Sequence, residues 1–133
     1  MSDTVAFIVE LELKPGQVED LRAVMDEMAA RARADEPGTL NYEWFVTEDG
    51  TACHIYERYA DAAAAVVHSA TFPEELSKRG QAFLPTRLTA YGELTQEILD
   101  KRIEPLKQAL PGISVVLLRP LGGFARASAL RKN

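Results

Sequence analysis

Apolar positions in this chain alternate, then step by three and four, then alternate again. Over Thr4 to Leu13, Val5, Phe7, Val9, Leu11 and Leu13 alternate with Ala6, Ile8, Glu10 and Glu12, the period of a strand, until Pro15-Gly16 breaks it. The first half of that strand is apolar on both faces. From Gln17 to about Ala34, Val18, Leu21, Met25, Met28 and Ala32 recur at helical spacing. Glu19 and Asp20 in the first turn and Arg31 and Arg33 in the last suit the helix dipole, and Pro37-Gly38 ends the helix.

An aromatic hairpin follows: Leu40-Asn-Tyr-Glu-Trp-Phe-Val46, a Glu48-Asp49-Gly50 turn, and Cys53-His-Ile-Tyr-Glu-Arg-Tyr59. Its turn decides which side chains share a face. A two-residue Asp49-Gly50 turn pairs Trp44 with Ile55 and Tyr42 with Glu57. A three-residue Glu48-Asp49-Gly50 loop pairs Trp44 with His54 and Tyr42 with Tyr56. The longer loop is favoured, because Glu-Asp suits the centre of a type I turn and Gly50 the left-handed position after it. Tyr42, Trp44, His54 and Tyr56 are then expected on one face, with Asn41, Glu43, Phe45, Cys53, Ile55 and Glu57 on the other.

Asp61 reads as the N-cap of a helix from Ala62 to about Ala70, which sets His68 on one face with Ala64 and Ala65 and, if the helix continues, with Phe72. Thr71 and Glu74 fit a capping box for a further helix to Leu84, stopped by Pro85. Thr86 to Leu94 reads as a strand. Thr95 caps a helix with Leu99, Ile103, Leu106 and Leu110 on one stripe, kinked at Pro105, and Ile113 to Leu118 forms a last apolar strand. The order strand, helix, strand, strand, helix, strand is the ferredoxin-like split βαβ pattern, an α+β fold with a four-stranded antiparallel sheet. It forms one domain over 1–133, with a core of about 1–95 and a helix and strand extension over about 96–126. Helices cover only one face of such a sheet, so strands apolar on both faces predict a homodimer.

Composition removes several classes of function. The chain has 133 residues, 47% hydrophobic and 26% charged, which is ordinary for a globular domain. A net charge of −5 argues against nucleic-acid or anionic-membrane partners, which call for a basic surface. No apolar run approaches the roughly 18 residues of a membrane span, and the N-terminus lacks a targeting pattern. One cysteine, Cys53, and two histidines exclude an internal disulfide and a Cys-rich metal site. A cytoplasmic location is expected.

Glu36-Pro-Gly-Thr-Leu-Asn-Tyr-Glu-Trp44, Asp49-Gly-Thr51, Ile55-Tyr-Glu-Arg-Tyr-Ala-Asp61, His68 and the tail Pro120-Leu-Gly-Gly-Phe-Ala-Arg126 together resemble the antibiotic biosynthesis monooxygenase family, also called quinol monooxygenases. The resemblance implies a dimeric α/β barrel and oxidation of a small quinol or polyphenol by O2 without metal, flavin or other cofactor. In that reading His68 is the catalytic group, accepting a proton or stabilising the anion. Tyr42, Trp44, Tyr56 and Phe72 hold the aromatic ring, and Asn41 orients a carbonyl or dioxygen. Many relatives place a second histidine soon after the one matching His68. Here His68-Ser-Ala-Thr-Phe72 lacks it, so a two-histidine relay is not expected. The heme-degrading branch has an Asn on its first strand, absent from Thr4 to Leu13, so heme is not expected either. No metal is expected, because the favoured register separates His54 from Glu57. The alternative function is a non-catalytic dimeric barrel that binds a small apolar ligand or serves a stress role, with the default role of the aromatics being core or interface.

Overall fold

The computed structural model describes residues 3–71, 74, 77 and 83–126. Five strands form one sheet in the order β2-β3-β1-β4-β5: β1 (Val5–Glu12), β2 (Thr39–Val46), β3 (Ala52–Tyr59), β4 (Pro85–Tyr91) and β5 (Ser114–Leu118). The first four pair antiparallel in the split βαβ arrangement, as the pattern predicts. β5 adds a fifth strand, parallel to β4 of the same chain.

One face of the sheet is closed by helices. Val5, Phe7, Val9 and Leu11 of β1 point inward and are buried, while Ala6, Ile8 and Glu10 between them stay partly exposed on the outer face. Helix α1 (Val18–Asp35) buries Leu21, Met28 and Ala32 against this core. It ends where the Glu36 N–H bonds to the Ala32 carbonyl and Pro37 interrupts the ladder. Helix α2 (Ala62–Ser69) starts at the expected cap, with the Asp61 carboxylate accepting from the Ala64 N–H at 2.9 Å. It buries Ala65, His68 and Ser69. The Thr71 hydroxyl donates to the His68 carbonyl, and most of the helix expected between Thr71 and Leu84 lies outside the described residues. β4 stops at Tyr91, short of the expected Leu94, because the chain bends at Gly92, whose φ of +125° suits glycine.

The hairpin takes the register not favoured from sequence: Trp44 lies opposite Ile55 and Tyr42 opposite Glu57. The expected type I turn with a left-handed Gly50 is present, but the loop runs one residue further, through Thr51. Gly50 adopts φ +72° and donates to the Thr47 carbonyl, as a type I turn followed by a left-handed glycine requires. The Asp49 carboxylate then accepts from the Thr51 N–H, the Thr51 hydroxyl and the Thr47 hydroxyl, drawing Thr51 into the loop. Thr47 closes on Ala52, and that one extra residue exchanges the faces of β3. The Thr51 and Thr47 hydrogen bonds also hold the Asp49 carboxyl below its ordinary value.

The third helical segment contains a widened turn. Gln96–Ile98 (α3) leads through a π-helical turn, Leu99–Ile103, into Glu104–Ala109 (α4). Pro105 has no N–H to offer the Lys101 carbonyl and its ring would crowd that group, so the backbone widens and the Glu104 N–H bonds back to Leu99. The expected kink is therefore a π turn. It advances the helical phase so that Arg102 as well as Ile98, Ile103 and Leu106 faces inward.

Candidate functional site

A line of polar side chains is sealed under the helices, on the inner face of the sheet. His68, from the last turn of α2, is fully buried. Its Nδ1 lies 2.7 Å from Glu36 Oε1, just past the end of α1, and its Nε2 lies 3.8 Å from Glu57 Oε1 on β3. Glu57 Oε1 accepts the Tyr59 hydroxyl at 2.6 Å and Arg102 Nη2 at 3.2 Å. The Arg102 guanidinium stacks 5.1 Å from the centre of the Phe7 ring. Burial, and then the neighbouring Glu57 carboxylate, push the Tyr59 phenol well above its ordinary value, so it serves as a donor.

Local backbone features aim each of these groups. At Leu40 a bulge shifts the register between Thr39 and Asn41, which turns Thr39 inward opposite Tyr59. There the Thr39 hydroxyl donates to Glu36 Oε1 at 2.9 Å and fixes the carboxylate that faces His68. Gly38 lets the loop after α1 approach α2: a Cβ at Gly38 would stand 2.6 Å from the Ala64 Cβ. The π turn supplies Arg102.

Of the residues expected at a site, the structure brings three together. Tyr42 presents its ring to His68 in an edge-on contact of 5.1 Å and meets Trp44 at 5.8 Å. Tyr56 is a correction: with β3 in the observed register it lies on the outer face with His54, beside Ile8 and Phe45, away from Tyr42 and Trp44. Asn41 is also on the outer face of β2, where it accepts from Arg58 Nε at 2.7 Å and donates to Glu43. It nonetheless lines, with Glu36 and Tyr42, a cleft of about 430 Å³ between the end of α1 and β2. Phe72 lies outside the described residues. The sequence pattern does not single out Glu36 or Arg102. The signal for Arg102 was Pro105 three residues later, which forces the wider turn.

His54 and His68 sit on opposite faces of the sheet, so the two histidines and Glu57 do not converge. Among the described residues no group of three or more His, Cys, Asp or Glu is arranged to hold a metal ion. No described helix is long and apolar enough to cross a membrane.

Fold and site together define a ferredoxin-like α+β domain with a histidine and two glutamates enclosed beneath an aromatic hairpin. The sequence profile of the antibiotic biosynthesis monooxygenase family matches residues 4–75, more than half of the chain, and the chain belongs to that family. No curated protein matches it. Among solved structures, MupZ from Pseudomonas fluorescens is similar over 94% of this chain and 96% of its own, with a TM-score of 0.71 and 22% identity. A Caulobacter crescentus protein carrying the same family designation is similar over 67% of this chain and 88% of its own, with a TM-score of 0.59 and 20% identity. Rv0793 from Mycobacterium tuberculosis is 28% identical over 70% of this chain and 97% of its own, with a TM-score of 0.53.

Proposed function

We propose that this protein is a cofactor-independent monooxygenase that oxidises a small quinol or polyphenol with O2. One observation carries the reading: a buried imidazole bonded to Glu36 and facing Glu57, with the Tyr42 and Tyr59 rings 5.1 and 5.5 Å away. A quinol reacts with oxygen once ionised, because the electron-rich anion passes a single electron to O2 and so avoids the spin barrier to a two-electron step. The radicals combine in a C–O bond, the peroxide O–O bond breaks, and the net change is quinol plus O2 to hydroxyquinone plus water. The substrate itself supplies the electrons that reduce the second oxygen atom. This chain's part is to hold the ring against Tyr42 and Trp44, exclude water and handle the proton at His68.

The working unit in this proposal is a homodimer. The outer face of the sheet carries the row Tyr56, Ile8, Thr89 and Val116, and beside it Phe45, which is 54% exposed. A second subunit on that face would close the barrel. Sedimentation of the full chain as a monomer at micromolar concentration would refute this part.

The test of activity is oxygen uptake by metal-free protein across a panel of quinols. Turnover that His68→Ala reduces about 100-fold or more is expected, and the absence of uptake with every quinol sinks the proposal. A second reading is a barrel that binds a small apolar ligand without turnover. It is favoured by the complete burial of His68. Tight binding of an aromatic with no oxygen uptake would support that alternative.

A further inference from the structure

Every bond to the Glu57 carboxyl falls on one of its two oxygens. Oε1 accepts the Tyr59 hydroxyl at 2.6 Å and Arg102 Nη2 at 3.2 Å, and His68 Nε2 stands 3.8 Å from it. Oε2 belongs to the same side chain without solvent exposure, yet no group among the described residues bonds to it. A buried polar atom left in that condition costs more than an ordinary hydrogen bond returns, and protein interiors hold few of them. Neither rotation nor protonation removes the need. Turning the carboxyl over exchanges the oxygens and leaves the other one bare, and in the acid form the bare oxygen is an O–H or a carbonyl that still lacks a partner.

We infer that Glu57 Oε2 accepts a hydrogen bond from the hydroxyl of a small aromatic ligand, which makes Glu57 a specificity-determining residue. Paired with Arg102, Glu57 is the anionic half of an ion pair, and a carboxylate only accepts, so its partner must be a donor. Ring surface for an aromatic is at hand. Tyr42 lies directly opposite Glu57 across the strands, and Tyr59 follows it on β3 with its hydroxyl on the same carboxyl. Tyr42 also lines the cleft of about 430 Å³ between the end of α1 and β2, so displacement of its ring brings a ligand in that cleft to Glu57. In the ligand-free protein a water donates to Oε2, and the ligand hydroxyl displaces it. That the ligand is a quinol rests on the oxygenase reading, whereas the need of Oε2 for a donor does not.

Calorimetric titration of the full chain, without oxygen, compares hydroquinone with its dimethyl ether, which has the same ring and no hydroxyl to donate. Hydroquinone is expected to bind at least about 10-fold more tightly, the worth of a hydrogen bond to a buried charged group. Glu57→Gln then separates bonding from size, because glutamine has the same shape. Tyr59 and Arg102 both donate, so they keep the amide oxygen at the Oε1 position and leave the NH2 in place of Oε2, where it donates alike to a hydroxyl or an ether oxygen. The preference for hydroquinone should vanish. A preference that survives in Glu57→Gln comes from size and overturns the inference, as do equal affinities in the wild-type protein or binding of neither probe. Crystal structures of the wild-type chain need no variant to fold. A hydroquinone hydroxyl within hydrogen-bond range of Oε2 is expected, and a protein group on that oxygen, or a water there that hydroquinone leaves in place, overturns the inference. A preference lost in Glu57→Gln in a protein that consumes no oxygen would refute only the oxygenase reading, and oxygen uptake with the preference intact in Glu57→Gln would refute only the role of Glu57.

Discussion

Replacing Gly38 by alanine inserts a methyl group where the loop after α1 meets α2. The new Cβ would lie 2.6 Å from the Ala64 Cβ, against about 3.5–4.0 Å for a favourable carbon contact, so the segments must part by roughly 1 Å. Neither side yields freely. Ala65, His68 and Ser69 anchor α2 in the core, and the Gly38 carbonyl accepts the Ala60 N–H at 2.9 Å. Overpacking of this kind costs about 1–3 kcal/mol. One further effect sets the net value. Gly38 does not have a positive φ, so alanine is not strained there and restricts the unfolded chain, which returns about 0.4–1 kcal/mol. A net loss of about 1–2 kcal/mol is expected, a fall in Tm of roughly 4 °C per kcal/mol for a domain of this size. Ala64→Gly alone should cost up to about 1 kcal/mol from helix propensity. Combined with Gly38→Ala it removes the clash, so the double variant should be more stable than the sum of the singles by about 1–3 kcal/mol. Urea unfolding of the four proteins measures this coupling. A coupling below about 0.5 kcal/mol would show that the close approach of Gly38 to α2 does not hold Glu36 against His68.

The Glu57–Arg102 pair should behave as a buried ion pair whose single removal is worse than its double removal. Glu57→Gln or Arg102→Met alone is expected to cost about 3 kcal/mol in urea unfolding, and the double variant less than the sum; additive losses would refute direct pairing. Tyr59 gives a signature at high pH. Its phenol ionises later in the folded protein than in the unfolded chain, so its contribution is intact below the ordinary value near 10 and is lost as pH rises above it. Stability should therefore fall above about pH 10, less steeply in Tyr59→Phe, and an unchanged slope in that variant would refute the burial of the phenol beside Glu57.

Much of the fold is legible from local pattern. The alternation in β1, the three- and four-residue steps of α1 and the Asp61 cap each state their element through interactions within a few residues. The site is less legible, for physical reasons that can be named. The hairpin register turned on Thr51, which joins the loop through three-way bonding of Asp49 with Thr47 and Thr51, a detail that propensity for type I turns does not contain. One residue there moved Tyr56 and His54 to the outer face and brought Glu57 inside. Arg102 reads as an exposed cation at regular helical spacing and becomes buried only because Pro105 widens the turn before it. Glu36 looks like the end of a helix, and its closeness to His68 depends on Gly38 and on the Leu40 bulge that turns Thr39 inward.

The sequence alone therefore determines the order of strands and helices, their caps and breaks, the membership suggested by the aromatic hairpin, and His68 as the residue to watch. Those properties follow from periodicity and from bonds between near neighbours. The tertiary structure decides what surrounds His68: two glutamates 21 residues apart in sequence, a tyrosine bonded to the second of them and, on that same carboxylate, an arginine from a fourth segment. Contacts between distant segments depend on register and helical phase, and a change of one residue in either reverses which side chains enter the core.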